Sequence, residues 1–301
     1  MTFFDLRQTR RLLLAGFFCL TGLSLGVPTD ARADFRHAGV GPRPKGMGSA
    51  YVAVADDANA VYWNPAGLAA NKTMSFLLAN SWLYGVTDLD NYYMALALPQ
   101  VGAFSLGMSW VRLGITNVYS EDTINLAVAT KVPMLPGLSA GLAAKMFLLN
   151  APGYDQFNDP NFNGGDHGFS LDLGLRYDSG RDWTLGATVY NLHETELQLI
   201  STTSSPDRVF TEWAVGGSYM FRNTLLMTAD LRNREGRTTD VVVHGGAEIW
   251  FFDALALRTG LDRGMVTIGA GLQDKFWQAD ISLETDNNLG NIYMLSFTVR
   301  K

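Results

Sequence analysis

The chain has 301 residues, of which 47% are hydrophobic, 12% aromatic and only 17% charged, against roughly 25% charged in an average soluble domain. Its net charge of −6 argues against nucleic acid as a partner, because a polyanion is met by a basic surface. Cys19 is the single cysteine, which excludes internal disulfides and cysteine-clustered metal sites.

Arg7, Arg10 and Arg11 precede an apolar run from Leu12 to about Leu25, and Ala31-Arg32-Ala33 follows. A basic start, a short apolar core and a small-residue cleavage pattern describe a secretory signal peptide over residues 1–33, cut after Ala33. A membrane anchor is the competing reading, but the run falls short of the ~20 residues a helical span needs. Cys19 lies inside this leader, and Phe17-Phe18 before it do not suit lipidation. The exported chain would carry no thiol.

Residues 34–72 form a second region without alternation. Gly39, Gly41, Pro42 and Pro44 make an irregular lead, after which Ala50, Val54 and Ala58 share a helical stripe with Tyr51. Asp56 or Asp57 can cap a short helix beginning at Ala58, since a carboxylate accepts the free amide hydrogens of a first turn. Pro65 pushes Asn64 out of helical geometry and can itself open a new turn. Two short helices joined by capped breaks are too small to fold alone.

From residue 73 to 301 the chain alternates. In HGFSLDLGLRY, residues 167–177, Phe169, Leu171, Leu173 and Leu175 share one face while Gly168, Ser170, Asp172 and Gly174 share the other, the period-two pattern of a strand. The same template recurs to give about fourteen strands. Connections after even-numbered strands are tight, such as PQVG (99–102) and FFD (251–253), whereas those after odd-numbered strands include the long segments 150–166 and 192–210. No later stretch is apolar enough for a helical span, so an exported all-β chain of this kind is a transmembrane β-barrel or a secreted sandwich. Short turns at one rim, long loops at the other and apolar-out, polar-in strands select the antiparallel membrane barrel. Trp82, Tyr92 and Trp110 near one rim, and Tyr177, Trp183, Phe221, Phe252, Phe276 and Trp277 near the other, fit two aromatic girdles.

By parity Gly141, Gly174, Gly186, Gly216, Gly246, Gly260, Gly269 and Gly271 point inward. Either another backbone approaches the wall there or glycine permits barrel curvature. The same face carries Lys145, Asp172, Arg176, Asp230, Arg232, His244, Glu248, Arg258, Asp262, Asp280 and Glu284, whose mixed signs predict internal ion pairs. His37, His167, His193 and His244 have no partners at metal-ligand spacing, and HETE (193–196) is not a zinc-protease motif. No enzymatic constellation and no cofactor site is expected. Asp159, Asn161 and Asn163 match the first half of a calcium loop, but Ser170 stands where its closing glutamate belongs.

The run from Gly46 to Leu68 contains Gly46-Met47-Gly48, Asp56-Asp57 and Trp63-Asn64-Pro65-Ala66. It resembles the N-terminal segment of the FadL-like outer-membrane proteins, most closely their PorV/PorQ branch; the fatty-acid transporters share the core at Asn64, Pro65 and Ala66. The resemblance implies a fourteen-stranded barrel in the outer membrane of a diderm bacterium, with residues 34–72 as a mostly helical hatch in its lumen. It also implies uptake of a hydrophobic or amphipathic small molecule, gated by that hatch, with outer-membrane lipid around it. A PorV-like alternative is a binding or shuttle component whose partners are secretion-system proteins of a type IX-like apparatus. Family transporters have a kinked third strand, for which Gly107 is the candidate position.

Overall fold

The computed structural model describes residues 39–202, 206–234, 237–286 and 289–301; the leader expected at 1–33 lies outside them. The first half of the wall is β1 (Ser75–Leu83), β2 (Leu89–Val101), β3 (Phe104–Ile115), β4 (Tyr119–Lys131), β5 (Leu138–Asn150), β6 (Gly165–Asp178) and β7 (Trp183–Tyr190). Two short strands, β8 (Thr195–Leu197) and β9 (Asp207–Val209), follow in a loop. The wall resumes with β10 (Glu212–Phe221), β11 (Leu225–Arg234), β12 (Arg237–Phe251), β13 (Leu255–Asp262), β14 (Met265–Gln273), β15 (Trp277–Glu284) and β16 (Ile292–Arg300). These fourteen wall strands pair with their neighbours in antiparallel order, and β1 pairs with β16 from Ser75↔Arg300 to Leu83↔Ile292, closing the barrel. Closure leaves no free strand edge.

Alternation is inside out relative to a soluble protein. On β6, Phe169 is 56% exposed on the outer face while Asp172 is fully buried on the inner one. The outer wall is an apolar belt, and the polar residues point into the lumen.

Tight turns gather at one rim. Arg222-Asn223 and Phe252-Asp253 take φ between 51° and 54°, the paired left-handed residues whose twist matches that of a hairpin. At the opposite rim the long connections fold onto each other. Residues 152–157 form a 3-10 turn, while β8 and β9 pair in the next loop. Asn163 N donates to Leu199 O, and Ser201 N to Asn161 O, at 2.8 Å each. Leu197 and Val209 of this loop pack on the inward Phe147 and Leu149, so apolar burial holds the loop over the mouth.

The segment ahead of the barrel consists of α1 (Pro42–Gly46), α2 (Ala60–Trp63) and a 3-10 helix (Pro65–Ala70). This differs from the helical stripe expected through Ala50, Val54 and Ala58. The helix lies upstream, in the proline-containing stretch read as irregular, because Gly48 and Ser49 turn left-handed at φ 64° and 62°. Beyond that turn the backbone bonds to the wall: Gly48 N donates to Thr267 Oγ1, Val52 N to Asp230 Oδ2, and Ala53 O accepts from Arg176 Nε. A chain whose amides are taken by the wall has no need of its own helical ladder.

Candidate functional site in the barrel lumen

Residues 39–72 lie inside the barrel, and the inward glycines make their bed. A Cβ added at Gly269 would crowd Gly46 Cα, at Gly246 the Met47 carbonyl, and at Gly260 the Gly48 amide. At Gly186 it would strike Val52, at Gly174 Asn64, and at Gly141 the Pro65–Ala66 peptide. Close approach of the inner segment accounts for these six positions, by its backbone at five and by the Asn64 side chain at Gly174. Gly216 and Gly271 instead make room for barrel side chains, Asp230 and the Asp280–Arg258 pair.

Gly107 belongs with the six. β3 pairs through it to Ala97 on one side and Ala127 on the other, with a register shift between β2 and β3 just beyond, at Leu98/Val101. A side chain there would collide with Val61 and Leu68 of the inner segment. The residue is small to admit them.

Electrostatics pin the first part of the segment. Arg43 donates to both oxygens of Glu248 at 2.9 Å, to Tyr51 Oη at 2.9 Å, to Asp56 at 2.7 Å and to Asp57 at 3.1 Å. Burial opposes its charge, but Asp56, Glu248 and their neighbours outweigh that and hold the guanidinium pKa well above its ordinary value. Burial pushes the Tyr51 phenol well up, so it stays protonated and donates to Asp57 at 2.9 Å. Lys45 is almost fully buried between Asp262, at 2.9 Å, and Glu284. His244 Nδ1 stands 3.1 Å from Gly48 O and 3.2 Å from Asp262 Oδ1; both are acceptors, so this nitrogen carries a proton. The wall's own pairs continue the network: Arg258 bridges Glu248 at 2.6 Å and Asp280 at 2.7 Å, and Lys145 meets Asp172 at 2.8 Å.

The second part is held by packing and one asparagine. Asn64 is extended, with φ −161°, as the following proline requires. Its amide donates to Val52 O at 2.8 Å and Leu175 O at 3.0 Å, while its Oδ1 caps the next turn by accepting Ala66 N at 3.1 Å. Gly67 sits against the Ala55 carbonyl, leaving no space for a Cβ. Trp63, buried, donates to Val40 O, and Arg232 lies over its ring at 5.1 Å. Neither acidic candidate caps the helix, which starts at Ala60 rather than Ala58 with Asn59 at its N-cap and no side-chain cap bond; Asp57 accepts Asn59 N at 2.9 Å in the turn just before it. Asp56 pairs with Arg43 instead.

The sequence reading did not single out Arg43, Lys45 or Gly67. A signal was available: the inward face carries more carboxylates than cations, and buried carboxylates demand partners. The calcium-loop residues lie in an exposed loop. Asp159 Oδ1 accepts from the backbone and side chain of Asn161, and Asn163 donates to Gln198 O, so these groups serve turn and loop bonds.

Below the segment, at the short-turn rim, a cavity of about 750 Å³ opens among Arg43, Asp56, Asp57, Leu77, Ser296 and Thr298, with Lys275 and Arg300 at its edge. It is polar and charged with both signs. Arg43, Asp56 and Asp57 close its roof.

No family model and no curated protein matches this sequence. Solved structures share the fold. The CymD monoaromatic hydrocarbon channel aligns with a TM-score of 0.60 at 14% identity, covering 87% of this chain and 98% of that one. The Pseudomonas putida toluene transporter TodX aligns at 0.55 and 13% identity over 87% and 96% of the two chains. A Pseudomonas aeruginosa FadL homologue aligns at 0.53 and 13% over 86% and 97%.

Proposed function

We propose that this chain is a FadL-like outer-membrane channel for passive uptake of hydrophobic or amphipathic small molecules, closed at rest by residues 39–72. The observation that carries this reading is the glycine bed. Wall positions on several strands, from Gly107 to Gly269, give up their side chains to seat one segment, a cost in strand stability that a lumen without a working occupant would not need. The apolar belt suits a bilayer, and the proteins that share this fold include a monoaromatic hydrocarbon channel, a toluene transporter and a FadL homologue. Diffusion down a gradient requires no cofactor. Fatty-acid-like molecules are the amphipathic members of the proposed substrate class.

Export through a cleaved leader and placement in the outer membrane of a diderm bacterium belong to the same proposal. The test is uptake of radiolabelled toluene and oleate by cells of a diderm host that lacks a channel of this kind. Uptake should require the expressed chain; equal uptake with and without it would sink the reading. A PorV-like role in type IX-like secretion is the second reading, favoured by the ordered pairing of β8 with β9 and of their loop with residues 161–163, which offers a firm surface to a protein partner.

A further inference from the structure

The lumen is not filled by one material. Near the junction of β16 with β1, its upper part is packed with the barrel's own side chains: Leu83, Ile292 and Met294 are buried together, with Leu89 and Leu113 partly buried beside them toward the long-loop rim. All of these come from β1, β2, β3 and β16. The next inward position below Met294 on β16 is Ser296, which lines the 750 Å³ cavity of the short-turn rim together with Leu77 and Thr298. Leu83, Ile292 and Met294, with Tyr84, Leu89 and Leu113 packed against them, therefore lie on this seam between the long-loop rim and a cavity already open below. Under this constriction the buried hydroxyls of Ser282 and Ser296 have no partner among the described residues.

Two ways of opening differ in what they disrupt. Displacing the inner segment breaks the Arg43–Glu248 and Lys45–Asp262 pairs and the Asn64 bonds, leaving buried charges and amides unmatched. Opening the junction breaks none of these pairs and asks for new rotamers of Met294, Ile292 and Leu83 and of the Tyr84, Leu89 and Leu113 side chains packed on them. Methionine, unbranched with three rotatable bonds, accommodates such change with little resistance.

We propose that the solute path runs along the junction of β16 and β1, beside the inner segment, with Met294 as the movable constriction. This rests on the uptake reading and adds to it the route and the shape of the solute: a slender apolar molecule, one hydrocarbon chain or one ring. An apolar constriction of this kind also blocks ions by excluding water.

The experiment uses the full chain with Met294→Trp, Met294→Ala and, as a control on the outer face of the same strand, Leu295→Trp. Barrel folding is checked by heat-modifiable gel mobility, toluene uptake is measured in host cells, and ion conductance is measured in planar bilayers. Met294→Trp should lose most of the uptake, Met294→Ala should raise conductance several-fold, and Leu295→Trp should match the parent. A folded Met294→Trp barrel with parental uptake overturns the route, as does parental conductance in Met294→Ala. If the parent takes up no toluene, the uptake reading falls while the conductance arm still decides whether Met294 closes this path.

Discussion

Gly260 on the wall and Gly48 on the inner segment face each other so closely that a Cβ on the first would land on the amide of the second. Two glycines far apart in sequence thus form one contact. Neither position tolerates growth: Gly48 takes φ 64° and meets Gly245 and Leu261 backbone atoms.

Gly260→Val should leave the barrel closed and unseat the segment. The expected outcome is unchanged heat-modifiable mobility with new protease cleavage between residues 42 and 59. Gly85→Ala, in a turn where an added Cβ meets nothing within 4 Å, should alter neither property beyond the modest strain of its φ of 71°.

Arg43→Ala leaves Glu248 with one cation instead of two. Arg258 still faces Glu248 at 2.6 Å, so the cost should fall below the ~3–5 kcal/mol of a fully stranded buried charge, and hydrogen exchange of the segment should rise while exchange of the strands changes little. Arg43→Lys should recover only part of the protection, because an ammonium cannot reproduce the two-point contact of the guanidinium.

Lys45→Met removes the buried cation that Asp262 and Glu284 share and leaves them the more exposed Arg263, at 3.2 and 3.7 Å. Its loss should exceed that of the triple change Lys45→Met, Asp262→Leu, Glu284→Leu, since replacing buried ion-pair partners together with apolar groups is often neutral, and Arg263, left without its carboxylates, is partly exposed to water. Denaturant midpoints of the two variants give the comparison. A triple variant less stable than the single one would show that the charges contribute net stability.

Asn64→Ala loses three hydrogen bonds at once, leaving the Val52 and Leu175 carbonyls and the Ala66 amide without them. With buried groups costing about 1–3 kcal/mol each when unpaired, the segment should loosen by several kcal/mol. Asn64→Asp keeps the acceptor for Ala66 N and loses the donors, so it should fall well short of full rescue. Exchange of the Ala66 amide, whose acceptor Asn64→Asp keeps and Asn64→Ala removes, separates the two cases.

Period-two alternation made the barrel legible in the chain itself. In HGFSLDLGLRY every second residue from Gly168 to Gly174 is small or polar, and since side chains alternate strictly along a strand, the assignment of faces needs no tertiary knowledge. The break at Asn64-Pro65 was legible for the same reason, because proline constrains its own backbone and that of its neighbour. The conformation of residues 47–58 was not. The backbone groups of Gly48, Val52 and Ala53, interleaved with the helically spaced Ala50, Val54 and Ala58, meet Thr267, Asp230 and Arg176 of the wall, and those bonds replace the ladder that the spacing suggested. Gly107 shows the same limit: nothing local announces a close neighbour at a strand glycine, and Val61 and Leu68 arrive there from another part of the chain. Pairings such as Arg43 with Glu248 depend on how fourteen strands register around a closed wall, a sum of many small offsets that no local pattern records.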